Sequence, residues 1–338
     1  MKTLMIYGAT GYTGRMAAEH ARAAGLDLVL AGRKEAPLAV LATKLGVSYR
    51  VFPVDDMNAI DAALSGMSVL LNCAGPYMRT AEPLMRAAIR CGVDYLDIAA
   101  ELDSYRLAAM RDEVAKAAGV MLLPGSGGSV AMLGCLAGHA AQRVANPAQI
   151  RIALHVTGAM SRGSAMTATE NMTGDCMRLV RGSLVRRSPE EFCDFDFGSG
   201  VRSCFPLTLP DLLTIHRATG VPDIETFAHV SGDAFPAGDL AALPDGPTLE
   251  ERDASRYQAA VEVTGADGTI VREVLDTVNG YTFTPMAAAE AARRVLAGEH
   301  RPGFQTPAGL FGNGFAETIA DTRIADATAA VHRMKSAS

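Results

Sequence analysis

Three glycines near the start of the chain have a spacing that could serve chemistry. Gly8, Gly11 and Gly14 follow directly on the apolar run at 4–7 and open a stretch with helical periodicity. A phosphate group needs hydrogen-bond donors and a positive field, and a helix N-terminus supplies both. Because glycine has no side chain, the backbone can approach such a group closely. The spacing predicts a dinucleotide site, with a tight structural turn as the alternative. The other residues of the turn that we expect at the cofactor are Thr10, Tyr12 and Thr13.

Two cations follow the next apolar run, at 26–31. An NAD site usually has Asp or Glu at the end of its second strand, where the carboxylate accepts hydrogen bonds from the ribose hydroxyls. This chain has Arg33 and Lys34 there instead. Arginine forms paired hydrogen bonds to a phosphate, which suits the 2′-phosphate of NADP. The sequence therefore favours NADP over NAD, and the alternative is a solvated basic turn.

Two further stretches lie where strands are expected to end. Asp55 follows the third predicted strand and either faces the adenine or caps a helix that begins near residue 58. The stretch NCAGPY at 72–77 ends the fourth strand. Since ligands of doubly wound sheets bind outside the carboxyl ends of the strands, we expect this stretch beside the nicotinamide. Tyr77 points toward the nicotinamide or serves as a packing aromatic. The expected cofactor contacts of this stretch are Asn72, Ala74, Gly75 and Pro76.

The elements that must position these residues alternate through the first third of the chain. Helical patterns separate short apolar runs at 3–7, 26–31, 49–53, 68–73, 95–98 and 120–123. This spacing predicts parallel strands joined by right-handed crossovers, a Rossmann doubly wound sheet of the α/β class. We assign residues 1–128 to this dinucleotide-binding domain and expect the C-terminal segment 305–338 to pack back on it.

The second half of the chain has a different pattern. Extended runs at 257–264 and 269–278 are joined by Ala266-Asp267-Gly268, which is a hairpin signal. We therefore predict a second, α+β domain at 129–304 with a mixed or antiparallel sheet, which handles the substrate and offers a surface for a homodimer. The remaining expectations are a strand at 149–157, helices at 103–118, 131–144, 165–180 and 285–296, a surface loop at 231–250 and a final helix after 303–314.

The composition argues against several classes of protein. The chain has 338 residues, a net charge of -6 and no block of like charges, so neither a nucleic-acid surface nor a polybasic membrane patch is indicated. No apolar run approaches the roughly 20 residues of a membrane span. The six cysteines form no C-x-x-C pair, which argues against zinc sites and disulfide frameworks. We expect a cytoplasmic protein with a small-molecule substrate and no metal site.

Several stretches together resemble the saccharopine dehydrogenase-like family of NAD(P)-binding oxidoreductases. They are GATGYTG (8–14), LAGR (30–33), NCAGPY (72–77), CGVDYLDIAAE (91–101), SRGSAMTATE (161–170) and GFQTPAGLFG (303–312), in the family's order. The family usually has Gly-Glu where this chain has Ala100-Glu101. The resemblance implies a Rossmann domain with a second α+β domain inserted before the C-terminal segment. It also implies hydride transfer between NADP or NAD and an imine or enoyl substrate.

The resemblance carries cofactor-binding roles but no catalytic acid or base. The residues that match its cofactor-binding positions are Gly8, Gly11, Gly14 and Arg33, and those that match its nicotinamide loop are Asn72, Gly75, Pro76 and Tyr77. The predicted function is an NADP-dependent oxidoreductase that acts on a small imine, enoyl or carbonyl substrate. The alternative is an NADP-binding sensor or regulatory protein without turnover.

Hydride transfer leaves one proton for the protein to handle. The Tyr-x-x-x-Lys pair of short-chain dehydrogenases does not occur, because none of the five lysines follows a tyrosine at that spacing. Cys135 and His139 are spaced i, i+4 on one helix face, but packing is the more common role of such residues. The predicted catalytic residues are Tyr77, Glu101 and Arg162, with His155 as a further candidate for proton handling.

Arg162 lies in Ser161-Arg162-Gly163-Ser164, where a loop enters a helix. It either grips a substrate carboxylate or phosphate, or the stretch simply caps the helix through Ser161 or Ser164. A stripe of methionines follows and lines either an apolar pocket or a helix core. Its members are Met166, Met172 and Met177.

Overall fold

The described chain consists of two compact units, each with its own sheet. The computed structural model describes residues 2–165, 175–232 and 244–327. The first unit comprises residues 2–128 and 281–310, and the second comprises the described residues of 129–280 together with 311–327. This division differs from the predicted domains in two segments. Residues 281–304 were predicted for the second domain and belong to the first unit, whereas the described residues from 311 onward were predicted to pack on the first domain and belong to the second unit.

The elements are numbered in chain order. The strands are β1 (Leu4–Tyr7), β2 (Leu28–Gly32), β3 (Ser48–Val51), β4 (Val69–Asn72), β5 (Asp94–Asp97), β6 (Met121–Leu123), β7 (Pro147–Thr157), β8 (Met177–Val180), β9 (Ser183–Arg186), β10 (Cys193–Asp196), β11 (Val201–Pro206), β12 (Asp223–Ser231), β13 (Arg256–Gly265), β14 (Ile270–Val278), β15 (Gly303–Phe304) and β16 (Arg323–Asp326). The helices are α1 (Tyr12–Ala23), α2 (Glu35–Leu45), α3 (Met57–Leu64), α4 (Tyr77–Cys91), α5 (Leu102–Met110), α6 (Asp112–Ala117), α7 (Gly128–Ala141), α8 (Asp211–Thr219), α9 (Leu249–Asp253), α10 (Gly280–Ala297) and α11 (Pro307–Phe311).

The sheet of the first unit is parallel throughout, in the order β15-β6-β5-β4-β1-β2-β3. Strands β1 to β6 follow the doubly wound order, in which the direction of winding reverses between β1 and β4. β1 is apolar on both faces, and Leu4, Met5 and Ile6 are fully buried, as expected for a parallel strand with helices above and below it. The predicted α/β fold class with a Rossmann sheet is confirmed.

The sheet of the second unit is mixed, as predicted. Its strands follow the order β10-β11-β12-β7-β13-β14-β16, and β8 and β9 are attached through β12. β12 and β7 are parallel, whereas β13 and β14 form the predicted antiparallel hairpin. The Asp267 carboxylate accepts hydrogen bonds from the backbone and hydroxyl of Thr269, both at 2.9 Å, which fixes the turn.

Two predicted helices differ from the structure. The helix at 103–118 is two helices, α5 and α6, which meet at Arg111. The helix at 165–180 is wrong for Met177–Val180, which form β8 and pair with β9. Arg181 and Gly182 join these strands with φ values of 51° and 74°. Two central residues with positive φ match the twist of a two-residue hairpin, and this local turn overrides the helical periodicity.

The C-terminal region divides between the two sheets. β15 pairs in parallel with β6 in the first unit, whereas β16 pairs with β14 in the second. The segment predicted to pack back as one piece at 305–338 is therefore split. The final helix predicted after 303–314 is wrong at Arg323–Asp326, which form β16. Residues 233–243 of the predicted surface loop lie outside the described residues. None of the described helices is both long enough and apolar enough to span a membrane.

Candidate functional site

The carboxyl edge of the first sheet brings together most of the predicted cofactor residues. Tyr7, which ends β1, is the register partner of Ala31 on β2 and of Asn72 on β4. Asn72 in turn is the partner of Asp97 on β5. The loops that follow these residues therefore start from neighbouring points, on the two sides of the reversal in strand order. Sheets of this topology bind ligands at that position.

The three glycines of the first turn serve different purposes. Gly8 has a φ of +79°, and a Cβ atom there would lie 2.8 Å from the backbone N of Ala74. A Cβ atom at Gly14, in the first turn of α1, would overlap the carbonyl oxygen of Gly8. Gly8 and Gly14 are thus required by the chain's own packing. Gly11 is exposed, and an added Cβ would meet only the Gly8 oxygen, at 3.3 Å.

The position of Gly11 suits a phosphate. It is the N-cap residue of α1 and has no side chain to occupy the end of the helix. Side-chain groups there would compete with a ligand for the N–H groups of the first turn. The exposed glycine leaves the backbone open to an anion, and the helix dipole favours negative charge. The cradle therefore fits the pyrophosphate of a dinucleotide. Thr10 is exposed beside it, whereas Tyr12 and Thr13 are half-buried in the first turn of α1.

Arg33 and Lys34 lie together after β2, and both are exposed. Within the described residues, neither side chain has an ion pair or a hydrogen-bond partner. Burial raises the pKa of Tyr7, while the charge of Arg33 acts to lower it and that of Asp55 to raise it. Arg33 and Asp55 therefore both lie close to the end of β1. An unpaired pair of cations beside the glycine turn fits the 2′-phosphate of NADP.

The structure assigns the cap of α3 to Asp56 rather than to Asp55. The Asp56 carboxylate accepts a hydrogen bond from the backbone N of Ala59 at 3.0 Å, and Asp56 is the N-cap residue. Asp55 is exposed beside it at the carboxyl edge of the sheet. Of the two roles considered for Asp55, the capping role is taken by its neighbour.

The loop after β4 is held from inside the protein by Asn72. This side chain is fully buried. Its Oδ1 accepts from the N of Ala74 at 3.0 Å, and its Nδ2 donates to the hydroxyls of Thr80 and Tyr95, both at 3.1 Å. The Thr80 hydroxyl donates to the carbonyl of Ala74 at 2.6 Å. Asn72 thus positions Ala74 and the exposed Gly75, which is followed by a cis peptide bond to Pro76.

Tyr77 and Glu101 are neighbours at the same edge. Tyr77 begins α4, is 8% exposed, and donates its hydroxyl to the carbonyl of Asn72 at 3.5 Å. Burial raises the pKa of Tyr77 well above its usual value. Glu101, at the N-cap of α5, is 5% exposed, and its carboxylate accepts from the N of Tyr77 at 3.5 Å and from the N of Ala100 at 3.0 Å. The two predicted residues are therefore brought together, with Tyr77 well packed.

Asp97 is a buried residue of this edge that the sequence reasoning missed. It is fully buried, and its carboxylate accepts from the Tyr95 hydroxyl at 2.9 Å and from the N of Ala99 and Gly125 at 3.0 and 2.8 Å. Burial raises the pKa of Asp97 to about 6, although these hydrogen bonds act to lower it. The signal available in the sequence was a carboxylate ending an apolar strand, in the same position as Asn72 one strand earlier.

Arg162 and His155 belong to the second unit. Ser161 caps the helical turn at 162–165, because its hydroxyl accepts from the N of Ser164 at 3.1 Å, so the capping role is present. Arg162 forms an ion pair with the exposed Asp245 at 3.3 Å. His155 lies on β7 with its Nε2 2.9 Å from the Ser231 hydroxyl, and burial lowers the pKa of His155.

The remaining candidates of the second unit have other partners or lie elsewhere. His139 contacts the buried Glu273 at 2.7 Å, which gives it a structural ion-pair partner in place of a role beside Cys135. Of the methionine stripe, Met177 lies on β8, and Met166 and Met172 are outside the described residues.

Comparison with known proteins supports the assignment of the first unit. Residues 4–123 match the family model of the saccharopine dehydrogenase NADP binding domain. This stretch of the first unit is therefore similar to a saccharopine dehydrogenase NADP-binding domain. The predicted family resemblance is thereby confirmed, and so is NADP as the predicted cofactor.

Relatives of this NADP-binding domain include oxidoreductases. A trans-acting enoyl reductase of Mycobacterium bovis (strain BCG / Pasteur 1173P2) is 33% identical over 106 residues, which cover 29% of this chain and 25% of that protein. Its counterpart from Mycobacterium leprae (strain TN) is 32% identical over 106 residues, with the same coverage of 29% and 25%. The matched stretch spans about a quarter of the length of these curated relatives.

One solved structure extends the likeness in fold beyond the first unit. Apo saccharopine dehydrogenase (L-Glu forming) from Saccharomyces cerevisiae aligns over 96% of this chain and 100% of its own, with a TM-score of 0.65 and 14% identity. At that identity the alignment establishes a shared fold. The second unit thus has the fold expected beside a saccharopine dehydrogenase NADP-binding domain.

Proposed function

We propose that the chain is an NADP-dependent oxidoreductase that transfers hydride to or from a small imine, enoyl or carbonyl substrate. The observation that carries the proposal is the combination at one sheet edge of an exposed Gly11 with two unpaired cations, Arg33 and Lys34. NADPH, when bound, supplies a hydride, and NADP⁺ accepts one. The protein must hold the cofactor, orient the substrate, exclude water and handle one proton.

Each part of the cofactor has residues suited to it. The turn at 8–14 suits the pyrophosphate, with its glycine backbone and the N-terminus of α1. Arg33 and Lys34 suit the 2′-phosphate, and Asp55 is exposed on the adenine side. The loop with Ala74, Gly75 and Pro76 suits the nicotinamide side, on the far side of the reversal in strand order.

Glu101 is the proposed residue for proton handling. Its carboxylate lies at the carboxyl edge beside the loop after β4 and is held by two backbone N–H groups. Tyr77 has a strongly raised pKa and a hydroxyl that already donates to Asn72, so its proposed role is to support Glu101 and the loop. Arg162 is proposed to bind an anionic group of the substrate. Its present partner, Asp245, is 74% exposed, and exposed ion pairs are weak enough to be exchanged.

The substrate class follows from the relatives only as a proposal. The matched mycobacterial proteins are trans-acting enoyl reductases, which favours enoyl substrates among the three classes. A cytoplasmic location is proposed because all six cysteines are free, as expected in a reducing compartment. A homodimer through the second unit is proposed because its antiparallel strands offer an extended surface, and sedimentation of the purified protein tests it.

The test of the proposed function is the consumption of NADPH by the purified full chain. Absorbance at the reduced nicotinamide band should fall in the presence of at least one member of a panel of imine, carbonyl and thioester-bound enoyl compounds. Tight NADPH binding together with flat absorbance across the panel would favour the sensor alternative instead.

A matched pair of variants on one helix sharpens the test. Glu101→Gln should lower kcat/KM by roughly a hundredfold, since general acid–base groups contribute on that order. Asp103→Asn should change kcat/KM by less than about twofold, because Asp103 is exposed and pairs only with Arg106 on the surface. Equal rates for the two variants would remove Glu101 from the reaction.

A further inference from the structure

Asp97 connects three loops that leave the same edge of the first sheet. Its Oδ1 accepts from the N of Ala99, in the loop after β5, and from the N of Gly125, in the loop after β6. Its backbone carbonyl accepts from both the N and the hydroxyl of Ser126 at 2.8 Å. Its Oδ2 accepts from the Tyr95 hydroxyl at 2.9 Å. The side chain is fully buried, so water does not compete for these bonds.

Tyr95 extends the connection to the loop after β4. Its hydroxyl donates to Asp97 and accepts from the Nδ2 of Asn72 at 3.1 Å. The amide oxygen of Asn72 holds the N of Ala74 at 3.0 Å. Ala74 packs against Gly8, where not even a Cβ atom would fit between them. A single chain of hydrogen bonds therefore runs from Asp97 to the contact between Ala74 and the glycine turn.

We propose that Asp97 is a positioning residue for the nicotinamide half of NADP, because its ionised carboxylate sets the loops after β4, β5 and β6 relative to Gly8. The proposal rests on the proposed cofactor function. The adenosine half belongs to the other side of the reversal in strand order, where Arg33 and Asp55 lie, and Asp97 makes no hydrogen bond to that side within the described residues. The effect of Asp97 should therefore be confined to one half of the cofactor.

The direction of the hydrogen bonds requires the charged form. Ionised Asp97 is an acceptor only, so Tyr95 can donate to it while accepting from Asn72. A proton on Oδ2, or the amide group of an Asn at position 97, would donate toward Tyr95. The Tyr95 oxygen would then receive two donors, and its own proton would lose its acceptor. A buried hydrogen bond to a charged group would be lost in either case.

The surroundings of Asp97 make this ionisation pH-dependent near neutrality. Burial raises the pKa of Asp97 to about 6, and the charge of Glu101 adds to the rise. The loop after β6 contributes only the backbone of Gly125 and Ser126. The other titratable groups that face the cluster of Asp97 and Tyr95 are Cys73, Tyr77 and Tyr105. Burial raises the pKa values of Cys73 and Tyr77, so both groups stay neutral near pH 6, and Asp97 is the group whose charge changes there.

The experiment measures binding of NADP⁺ and of adenosine 2′-monophosphate, which carries the adenosine with its 2′-phosphate and lacks the nicotinamide half, to the full chain by calorimetry. Asp97→Asn and Tyr95→Phe should each weaken NADP⁺ roughly tenfold, as expected for one buried charged hydrogen bond. Both variants should bind the fragment within about twofold of the unmodified protein. Asp94→Asn is the matched control, since Asp94 lies at the opposite end of β5 and accepts from the N of Met121 at 2.8 Å.

A pH series supplies a readout that a merely structural role would not change. The affinity of the unmodified protein for NADP⁺, divided by its affinity for the fragment, should fall as the pH drops through about 6, because Asp97 becomes protonated. The division is needed because the 2′-phosphate itself titrates at about 6 and is common to both ligands. In Asp97→Asn this ratio should be flat and equal to the low-pH ratio of the unmodified protein.

The outcomes separate this proposal from the cofactor assignment. Unchanged NADP⁺ affinity in Asp97→Asn, or an equal loss for cofactor and fragment, would overturn the positioning role. The same holds if the ratio still varies with pH in Asp97→Asn. If the folded, unmodified protein binds neither ligand, the proposed function fails first, and the positioning role fails with it.

Discussion

Two groups of cations, one in each unit, have opposite surroundings. In the first unit, Arg33 and Lys34 are exposed at the carboxyl edge of the sheet and have no ion-pair partner within the described ranges. In the second unit, the buried Glu273 is held by Arg143 at 2.6 Å and by His139 at 2.7 Å. Glu262, likewise, lies between Arg151 and Arg272. The two cations at the sheet edge are thus open, whereas those around Glu273 and Glu262 are paired with carboxylates of their own unit.

The difference indicates what each set of charges does. Burial alone would raise the pKa of Glu262, but the two arginines hold it below its usual value, so this carboxylate is stabilised where it stands. Such groups bind the sheet together, and removing one partner leaves a buried charge uncompensated. Exposed cations without a partner add little to stability and remain available to an external anion. Substitutions at the glycine turn and at Arg33 should therefore affect cofactor binding, and substitutions of the paired carboxylates in the second unit should affect stability.

The largest effect on the first unit should come from Gly14→Ala. The added Cβ would overlap the Gly8 carbonyl oxygen and lie 3.2 Å from the Cα of Ala9, and neither backbone group can move aside cheaply. We expect NADPH affinity to fall by more than about a hundredfold, since α1 and the glycine turn must separate. Fluorescence titration with NADPH measures the loss.

A second glycine provides the control for that substitution. Gly314 has no neighbour within 4 Å of an added Cβ, so Gly314→Ala should bind NADPH normally. If Gly14→Ala also binds NADPH as tightly as the unmodified protein, the turn does not hold the pyrophosphate. That result would contradict the cofactor-binding role of the glycine turn.

Glu273→Gln should have the largest effect on the second unit. It removes the negative charge between Arg143 and His139, and among the described carboxylates Arg143 then keeps Asp326, at 2.5 Å. Because Arg143 is 39% exposed, we expect a loss of about 2 kcal/mol rather than the larger cost of a fully buried pair. The midpoint of denaturant unfolding measures it, and NADPH affinity should not change.

Exposed ion pairs in the same unit provide the control for the loss of stability in Glu273→Gln. Asp321 is 59% exposed and lies 3.5 Å from Arg256 and 3.3 Å from Arg323, so Asp321→Asn should cost less than about 0.5 kcal/mol. Similar unfolding midpoints for the two variants would contradict the view that burial increases the contribution of the Glu273 ion pair to stability.

Local patterns predicted the first unit well because the residues proposed to bind its cofactor lie in short stretches of the sequence. The glycine turn, the basic pair after β2 and the alternating elements each depend on neighbours in sequence, and the parallel sheet follows from their order. Asp97 could not be assigned in that way. Tyr95 and Ala99 are its neighbours in sequence, but Gly125 is 28 residues away, and only the pairing of β5 with β6 brings it to the carboxylate.

The errors in the rest of the chain have the same origin. Met177–Val180 satisfy a helical period, and only the turn at Arg181 and Gly182 makes them a strand. The split of the C-terminal segment depends on the free edges of β6 and β14, which accept β15 and β16. The capping role considered for Asp55 belongs to Asp56, one residue further on, and helix boundaries are not resolved to one residue by periodicity.

Arg33→Ala should have a smaller effect than Gly14→Ala and Glu273→Gln, and it tests the comparison most selectively. Removing one exposed guanidinium leaves Lys34 beside the 2′-phosphate, so NADPH affinity should fall roughly tenfold, as for one charge-assisted contact. NADH has no 2′-phosphate, and its affinity should stay within about twofold. Arg86→Ala is the matched control, because Arg86 is an exposed arginine on α4 that lies 3.9 Å from Glu82. Since Arg33 has no partner among the described residues, the unfolding midpoint should not move in either variant. Equal losses for NADPH and NADH would show that Arg33 recognises something other than the 2′-phosphate.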